Sequence, residues 1–418
     1  MKQIIIKGNK RLTGTIRIGG AKNSVVALMP AALLTDGVVK ISNVPNISDK
    51  DALLQIMELL GSKVTCARGS IVVDSKNSIN TLITENLSRK LRASYYFMGV
   101  LLGKYKHAEV FLPGGCNIGT RPIDQHLKGF RALGAEVTRD GDKYILDAPD
   151  LHGADILLDF ASVGATINIM FAAVLAKGTT RIRNAACETE IVNIADLLVK
   201  MGAKIDGAGT SVITIKGVKK LHGAQIRVIP DRIEAGTYII VGALTGDNLV
   251  VSGVVPSHLL ALFNKLDDMN VKYRIEKDKV YISKATRVRA SNITTLVYPG
   301  FPTDLGQPIQ VLLTQAKGKS KFKETIWENR MGHVPYLVKM GAKISAHSTT
   351  AIYSGPSELH GAEITATDLR GGAALVLAGL LADGETVIND ADYILRGYER
   401  IIQKLSKVGA NIEIKDIS

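Results

Sequence analysis

The residues best suited to chemistry stand in loops that lead into apolar helical patterns. The segment Phe111–His126 holds Cys116 five residues before Arg121. Three glycines and two prolines between Pro113 and Asp124 give this loop a defined shape. A free thiol is usually an inert, buried small hydrophobe, and that reading suits Cys66 and Cys187. Gly114, Gly115, Asn117 and Gly119 offer Cys116 no apolar shell. A cation-rich setting lowers a thiol pKa and makes it usable as an acid or a nucleophile. A chemical role is therefore expected for Cys116.

Other polar clusters precede helical patterns at Gly19–Ser24, Lys90–Ser94, Ser162–Thr166, Asp231–Glu234, Pro302–Asp304 and Asp368–Gly372. Free N–H groups and the helix dipole favour anions at such places. Capping accounts equally well for the Ser, Thr and Asp positions. It does not account for Lys22, Arg92, Arg232 and Arg370, because cations at a helix start oppose the dipole. Gly19-Gly20-Ala21-Lys22 is not a Gly-x-x-x-x-Gly-Lys-Ser/Thr phosphate loop, and Gly318-Lys319-Ser320 fails the same spacing, so nucleotide hydrolysis is unsupported. The eight histidines show no His-x-x-x-His pair, and three sit in a recurring Leu-His-Gly-Ala turn that reads as structural.

The elements that must position these loops come from a repeat. Apolar-Gly-Ala-x-apolar recurs around Gly134, Gly202, Gly341 and Gly409, with weaker copies at Gly61 and Asn270. The spacing gives six units of about 70 residues. The Leu-His-Gly-Ala turns at Leu151, Leu221 and Leu359 keep the same step. Each unit reads as βαβαββ, with a first helix so rich in Ala and Gly that it is expected to be buried. The second helix is amphipathic: Ile191, Ile194, Leu197, Leu198 and Met201 recur at three- and four-residue spacing. One strand does not alternate with one helix, so a classical βα barrel is excluded. The pattern fits an α/β protein of two domains with three units each, helices inside and sheets outside. The expected boundaries are 22–229 for the first domain, and 1–21 with 230–418 for the second. The chemistry-bearing loops are expected to meet in a cleft between them.

Composition narrows the remaining classes. The chain has 418 residues, 46% of them hydrophobic and 22% charged, which excludes a disordered chain or a disulfide scaffold. No apolar run reaches the roughly 18 residues that span a bilayer, and the short Ile-rich start reads as a strand rather than a signal peptide. Three scattered cysteines fit a reduced, cytoplasmic setting. The net charge of +13 admits nucleic acid, a membrane surface or small anions. An aromatic content of 5% and the absence of a basic block argue against nucleic acid, and no membrane partner is expected.

The motifs taken together resemble the enolpyruvyl transferase family, in its branch that acts on UDP-N-acetylglucosamine. They are Gly19–Ser24, Pro113–Pro122, Ser162–Thr166, Pro230–Glu234, Phe301–Asp304, Glu328–Arg330, Asp368–Arg370 and Arg396–Arg400. The resemblance spans essentially the whole chain. It implies a pair of inside-out α/β barrels and transfer of the enolpyruvyl group of phosphoenolpyruvate to a sugar hydroxyl, with loss of phosphate. This would be the first committed step of peptidoglycan synthesis.

By resemblance, Cys116 is the general acid at C3, the point of a covalent phosphoenolpyruvate adduct, and the site alkylated by fosfomycin. Asp304 is the base that meets the sugar 3′-hydroxyl. Lys22, Arg121 and Arg396 match the cations for phosphoenolpyruvate, and Arg92 and Arg370 further cations of the site. Asn23, Arg121, Pro122, Ile123, Asp124, Gln125, Phe160, Ala161, Ser162, Val163 and Ile326 match contacts to the nucleotide sugar. The Cys116 loop is expected to close as a lid, with the sugar nucleotide binding first. No cofactor or metal is implied. Trp327 stands where Phe is common and Thr189 where Pro is expected. Transfer to shikimate 3-phosphate, an RNA-binding protein of similar repeats, and a catalytically silent paralogue are the alternatives. The oligomeric state is not readable from sequence.

Overall fold

The computed structural model describes residues 2–112, 119 and 122–417. They form two compact units. The chain up to Gly19 and from Pro230 onward builds one, here the terminal unit. Gly119 aside, the described chain from Gly20 to Ile229 builds the other, the central unit.

Each unit contains three four-stranded sheets. One repeat runs strand Asp155–Leu157, helix Val163–Ala173, strand Thr179–Arg183, helix Thr189–Lys200, then the strands Lys204–Asp206 and Val212–Lys216. The first two strands pair in parallel, with Ile156 opposite Ile182, because a helical crossover separates them. The closing hairpin adds antiparallel, with Ile182 opposite Ile213 and Ile215 opposite Ile205. This is the expected βαβαββ order. Three repeats take a strand from far away in sequence. Ala224–Arg227 pairs with Val39–Ser42, and Leu12–Arg17 pairs with Gly246–Ser252. Lys2–Lys7 lies between Glu385–Asn389 and Asn411–Asp416. The alternation of Ile4 and Ile6, both fully buried, fixes which face of that first strand turns inward.

The small-residue helices are buried as expected. Arg232–Thr245 is buried along its whole length, and Leu369–Leu381 from Arg370 to Leu380. The sheets cover them, and strands such as Thr179–Arg183 alternate exposed and buried side chains. Helices inside and sheets outside make each unit an inside-out α/β fold. Close helix approach explains the small residues. Tyr96–Tyr105 packs on Val163–Ala173, and a Cβ on Gly99 would lie 2.3 Å from the Asn168 carbonyl oxygen.

The two repeated tags turn out to be one device. The glycines at 61, 134, 202, 341 and 409 all have φ between +89° and +104°, and Asn270 has φ of 58°. This is the left-handed residue that ends a helix. The histidine of the next Leu-His-Gly-Ala turn then donates its N–H to a carbonyl in the last helical turn: His152 to Leu133, His222 to Met201, His360 to Met340. Its glycine packs on backbone, where a Cβ on Gly361 would stand 2.1 Å from the Glu385 oxygen. No helix among the described residues is long and apolar enough to cross a membrane.

Candidate active site

In the terminal unit the helix Thr303–Leu313 starts after Pro302 with no side-chain cap. Asp304, its second residue, meets two guanidiniums. Arg330 Nη1 donates to Oδ1 at 2.9 Å and Arg370 Nη2 to Oδ2 at 3.0 Å. The arginine side chains are 7% and 4% exposed and the aspartate 22%. Burial works to raise the Asp304 pKa, but Arg370 and then Arg330 outweigh it and hold the carboxyl well below the usual carboxylate range. Each carboxylate oxygen keeps a further lone pair, so the exposed edge has room to accept another hydrogen bond.

Arg370 is placed by its own helix. Asp368 caps Leu369–Leu381 and accepts from the N–H groups of Arg370 and Gly371 at 2.9 and 3.0 Å. Its other oxygen accepts from Gln307 Nε2 at 3.0 Å, which ties this helix to the one carrying Asp304. The Arg370 guanidinium lies 5.3 Å from the centre of the Tyr398 ring, and Tyr398 Oη is 3.0 Å from Thr237 Oγ1. Burial opposes the Arg370 charge, yet Asp304 and Tyr398 more than offset it, so the cation is firmly held. Arg396 is half-buried, just past the short helix Asp392–Leu395 and two residues before Tyr398. Arg232 sits over the ring of Tyr298, 5.4 Å away.

In the central unit Lys22 is the first residue of the helix Lys22–Ala31, with half-buried Asn23 beside it. Lys22 Nζ lies 2.6 Å from Asp49 Oδ2, and both side chains are largely shielded. Arg92 opens the turn Arg92–Tyr95 and lies 5.8 Å from the Tyr95 ring centre. Tyr95 also meets His126 edge-on at 4.9 Å. Burial first, then the Arg92 charge, push the His126 pKa down to about 4, so the imidazole is neutral at ordinary pH.

Gln125 is buried, and its amide joins two segments singled out from sequence. Its Nε2 donates to Asp124 at 2.9 Å and to Asp159 at 2.8 Å, and its oxygen accepts from the Asp159 N–H at 3.0 Å. Gln125 thus orders the loop that carries half-exposed Phe160, Ala161, Ser162 and Val163. Pro122 and Asp124 are exposed, whereas Ile123 lies in the hydrophobic core and has only backbone to offer a ligand.

The structure therefore gathers Asp304 with Arg370, and Asp124 and Gln125 with the Phe160 loop. Cys116 and Arg121 lie outside the described residues. Capping is real at three of the candidate starts. Ser162 accepts from Ala165, Asp231 from Ile233 and Glu234, and Asp368 as described. Arg330, Asp49 and His126 were not singled out from sequence as partners. Arg330 stands within the Glu328–Arg330 motif, but no local periodicity links it to Asp304, 26 residues away.

The sequence profile of the family EPSP synthase (3-phosphoshikimate 1-carboxyvinyltransferase) matches residues 6–405. The chain belongs to this family. Among curated relatives it is 51% identical to UDP-N-acetylglucosamine 1-carboxyvinyltransferase 2 of Streptococcus mutans, over 99% of both chains. It is 49% identical to the protein of the same name in Listeria monocytogenes, over 98% of this chain and 97% of the relative. It is 50% identical to UDP-N-acetylglucosamine 1-carboxyvinyltransferase 1 of Streptococcus agalactiae, over 99% of both. Among solved structures, the enolpyruvyl transferase NikO from Streptomyces tendae superposes with a TM-score of 0.91 at 25% identity, covering 100% of this chain and 99% of that one. EPSP synthase of Acinetobacter baumannii shares the fold alone, with a TM-score of 0.76 at 18% identity and full coverage of both chains. The family fold is the two-unit inside-out arrangement found here.

Proposed function

We propose that the protein transfers the enolpyruvyl group of phosphoenolpyruvate to the 3′-hydroxyl of UDP-N-acetylglucosamine, releasing phosphate. The observation that carries this reading is the Asp304 carboxylate held between Arg330 and Arg370 at a helix start, in a chain about half identical over its full length to carboxyvinyltransferases of that substrate.

The reaction is addition followed by elimination. C3 of phosphoenolpyruvate takes a proton as the sugar oxygen bonds to C2, giving a tetrahedral ketal. The C2–phosphate bond then breaks as C3 loses a proton. Asp304 accepts the hydrogen bond of the attacking hydroxyl and takes its proton as the C2–O bond forms; its low resting pKa keeps it ionised and aimed for that transfer. Lys22, Arg121 and Arg396 bind the phosphate and carboxylate of phosphoenolpyruvate, and Arg92 and Arg370 add positive charge. Cys116 supplies the proton to C3. Asn23, the segment from Arg121 to Gln125, the loop from Phe160 to Val163, and Ile326 hold the nucleotide sugar. The product is a peptidoglycan precursor, made in the cytoplasm.

Phosphate release from phosphoenolpyruvate tests the reading. Release is expected with UDP-N-acetylglucosamine present and not with shikimate 3-phosphate. Release only with shikimate 3-phosphate would transfer the protein to the other branch, and no release with either acceptor would reject the activity.

A further inference from the structure

One buried side chain ties together two parts of the proposed site and has no place in the steps above. Glu324 is 2% exposed. Its Oε2 accepts from the Thr303 hydroxyl at 2.8 Å. Its Oε1 accepts from the Thr295 hydroxyl at 2.7 Å, the Ile326 N–H at 2.7 Å and the Trp327 N–H at 3.3 Å. No ion pair with Glu324 occurs among the described residues. A buried carboxylate without a cation is costly unless several donors satisfy it, and four do so here.

The consequence falls on Asp304. Its neighbour Thr303 is fixed at both ends: the hydroxyl by Glu324, and the carbonyl oxygen by Arg330 Nη1 at 3.1 Å. The same Arg330 nitrogen reaches Asp304. Because Pro302 gives the helix no side-chain cap, these two contacts set where its first turn begins. The Glu324 oxygen that holds Thr295, Ile326 and Trp327 sets the height of the Ile326–Trp327 backbone against that turn.

We propose that Glu324 is a positioning residue for the reaction: it aims Asp304 through Thr303 and fixes the Ile326–Trp327 backbone, while touching no substrate itself. This inference rests on the enolpyruvyl transfer proposed above. A misplacement of about 1 Å at a reacting group costs on the order of 100-fold in rate, so a lost anchor is readable in turnover.

The test uses the full chain and three variants. Thr303→Val removes only the hydroxyl that reaches Glu324. Thr303→Ser keeps it. Glu324→Gln keeps an oxygen for the three other donors but turns an NH2 toward Thr303. The expected result is a fall in kcat of about 10-fold or more for Thr303→Val and Glu324→Gln, with KM for phosphoenolpyruvate within about twofold of the parent. As Asp304 drifts from the guanidiniums its pKa rises, so the acidic limb of the kcat profile moves to higher pH. Thr303→Ser restores both. A parent protein that turns over, with variants equal to it in kcat and pH profile, would overturn the positioning role alone. So would activity that falls only in step with thermal stability and evenly at all pH. A parent that releases no phosphate would remove the functional reading and this inference with it.

Discussion

Arg370 Nη2 donates to Asp304 Oδ2 at 3.0 Å, joining the first turns of two helices whose starts lie 66 residues apart. The pair is nearly enclosed, and Arg330 completes it from a third segment. Removing one partner of a buried ion pair leaves the other uncompensated, which costs about 3–5 kcal/mol. Arg330→Gln is therefore expected to lower stability, with a smaller loss because Arg370 remains. The sign with pH follows from the depressed Asp304 pKa. The stabilisation from this carboxylate is fully present above the unfolded carboxylate pKa of about 4, and it is lost as pH falls through the lower folded value. Urea denaturation between acid and neutral pH should show the parent and Arg330→Gln converging as the pH drops. Parallel curves at every pH would contradict the assigned ionisation.

Asp304→Asn keeps the shape and removes the negative charge. Loss of the carboxylate that takes the proton of the attacking hydroxyl is expected to cut kcat by about 100-fold or more. Steady-state phosphate release measures it. Near-parent kcat would take Asp304 out of the chemistry.

Much of the fold could be read from the sequence because the repeat was local. In three repeats the Gly at the helix end and the following Leu-His-Gly-Ala turn sit 17 to 19 residues apart, and the structure shows His152, His222 and His360 closing the preceding helices. The unit count already groups the first 21 residues with the second half, but the partners of Leu12–Arg17 and Ala224–Arg227 carry no local pattern beyond alternation, so only the pairing reveals them. The site divides the same way. Lys22, Arg92 and Arg370 stand out in the sequence as cations at helix starts, in conflict with the dipole. Their partners Asp49 and Asp304, and the Glu324 anchor, join segments remote in sequence, where spacing carries no information. Gln125, matched by resemblance to a nucleotide-sugar contact, is buried with its amide bonded to Asp124 and Asp159, a pairing that spacing does not show.

Lys22 stands 2.6 Å from Asp49 in a shielded pair. The carboxylate fixes where the ammonium points. Asp49→Asn is expected to raise KM for phosphoenolpyruvate by about 10-fold, the factor that corresponds to 1.4 kcal/mol, with a smaller change in kcat. Initial-rate kinetics at saturating sugar nucleotide separate the two. A pure kcat effect would mean that Asp49 serves a step after binding.

Cys116 carries the proposed acid role on its sequence context alone. Cys116→Ser is expected to abolish time-dependent inactivation by fosfomycin, since a hydroxyl lacks the reactivity of a thiolate. Inactivation assays with mass measurement of the adduct check this. Continued inactivation of the variant would place the reactive group elsewhere.

The contact between Tyr96–Tyr105 and Val163–Ala173 offers a test of the inside-out core away from the chemistry. Gly99 donates its N–H to Asn168 Oδ1 at 2.9 Å, and a Cβ there would stand 2.3 Å from the Asn168 carbonyl oxygen and 2.8 Å from Oδ1. Backbone cannot yield as a flexible side chain would, so Gly99→Ala forces the helices apart. Overpacking of this kind costs about 1–3 kcal/mol. Gly141, where a Cβ would meet nothing within 4 Å, has φ of 57°, so its alanine variant pays only backbone strain, about 1–2 kcal/mol. Chemical denaturation of both variants should therefore show a larger or equal loss at Gly99, with the Asn168 amide losing protection from hydrogen exchange only in Gly99→Ala. Unchanged protection at Asn168 would mean the two helices are not in the close contact described.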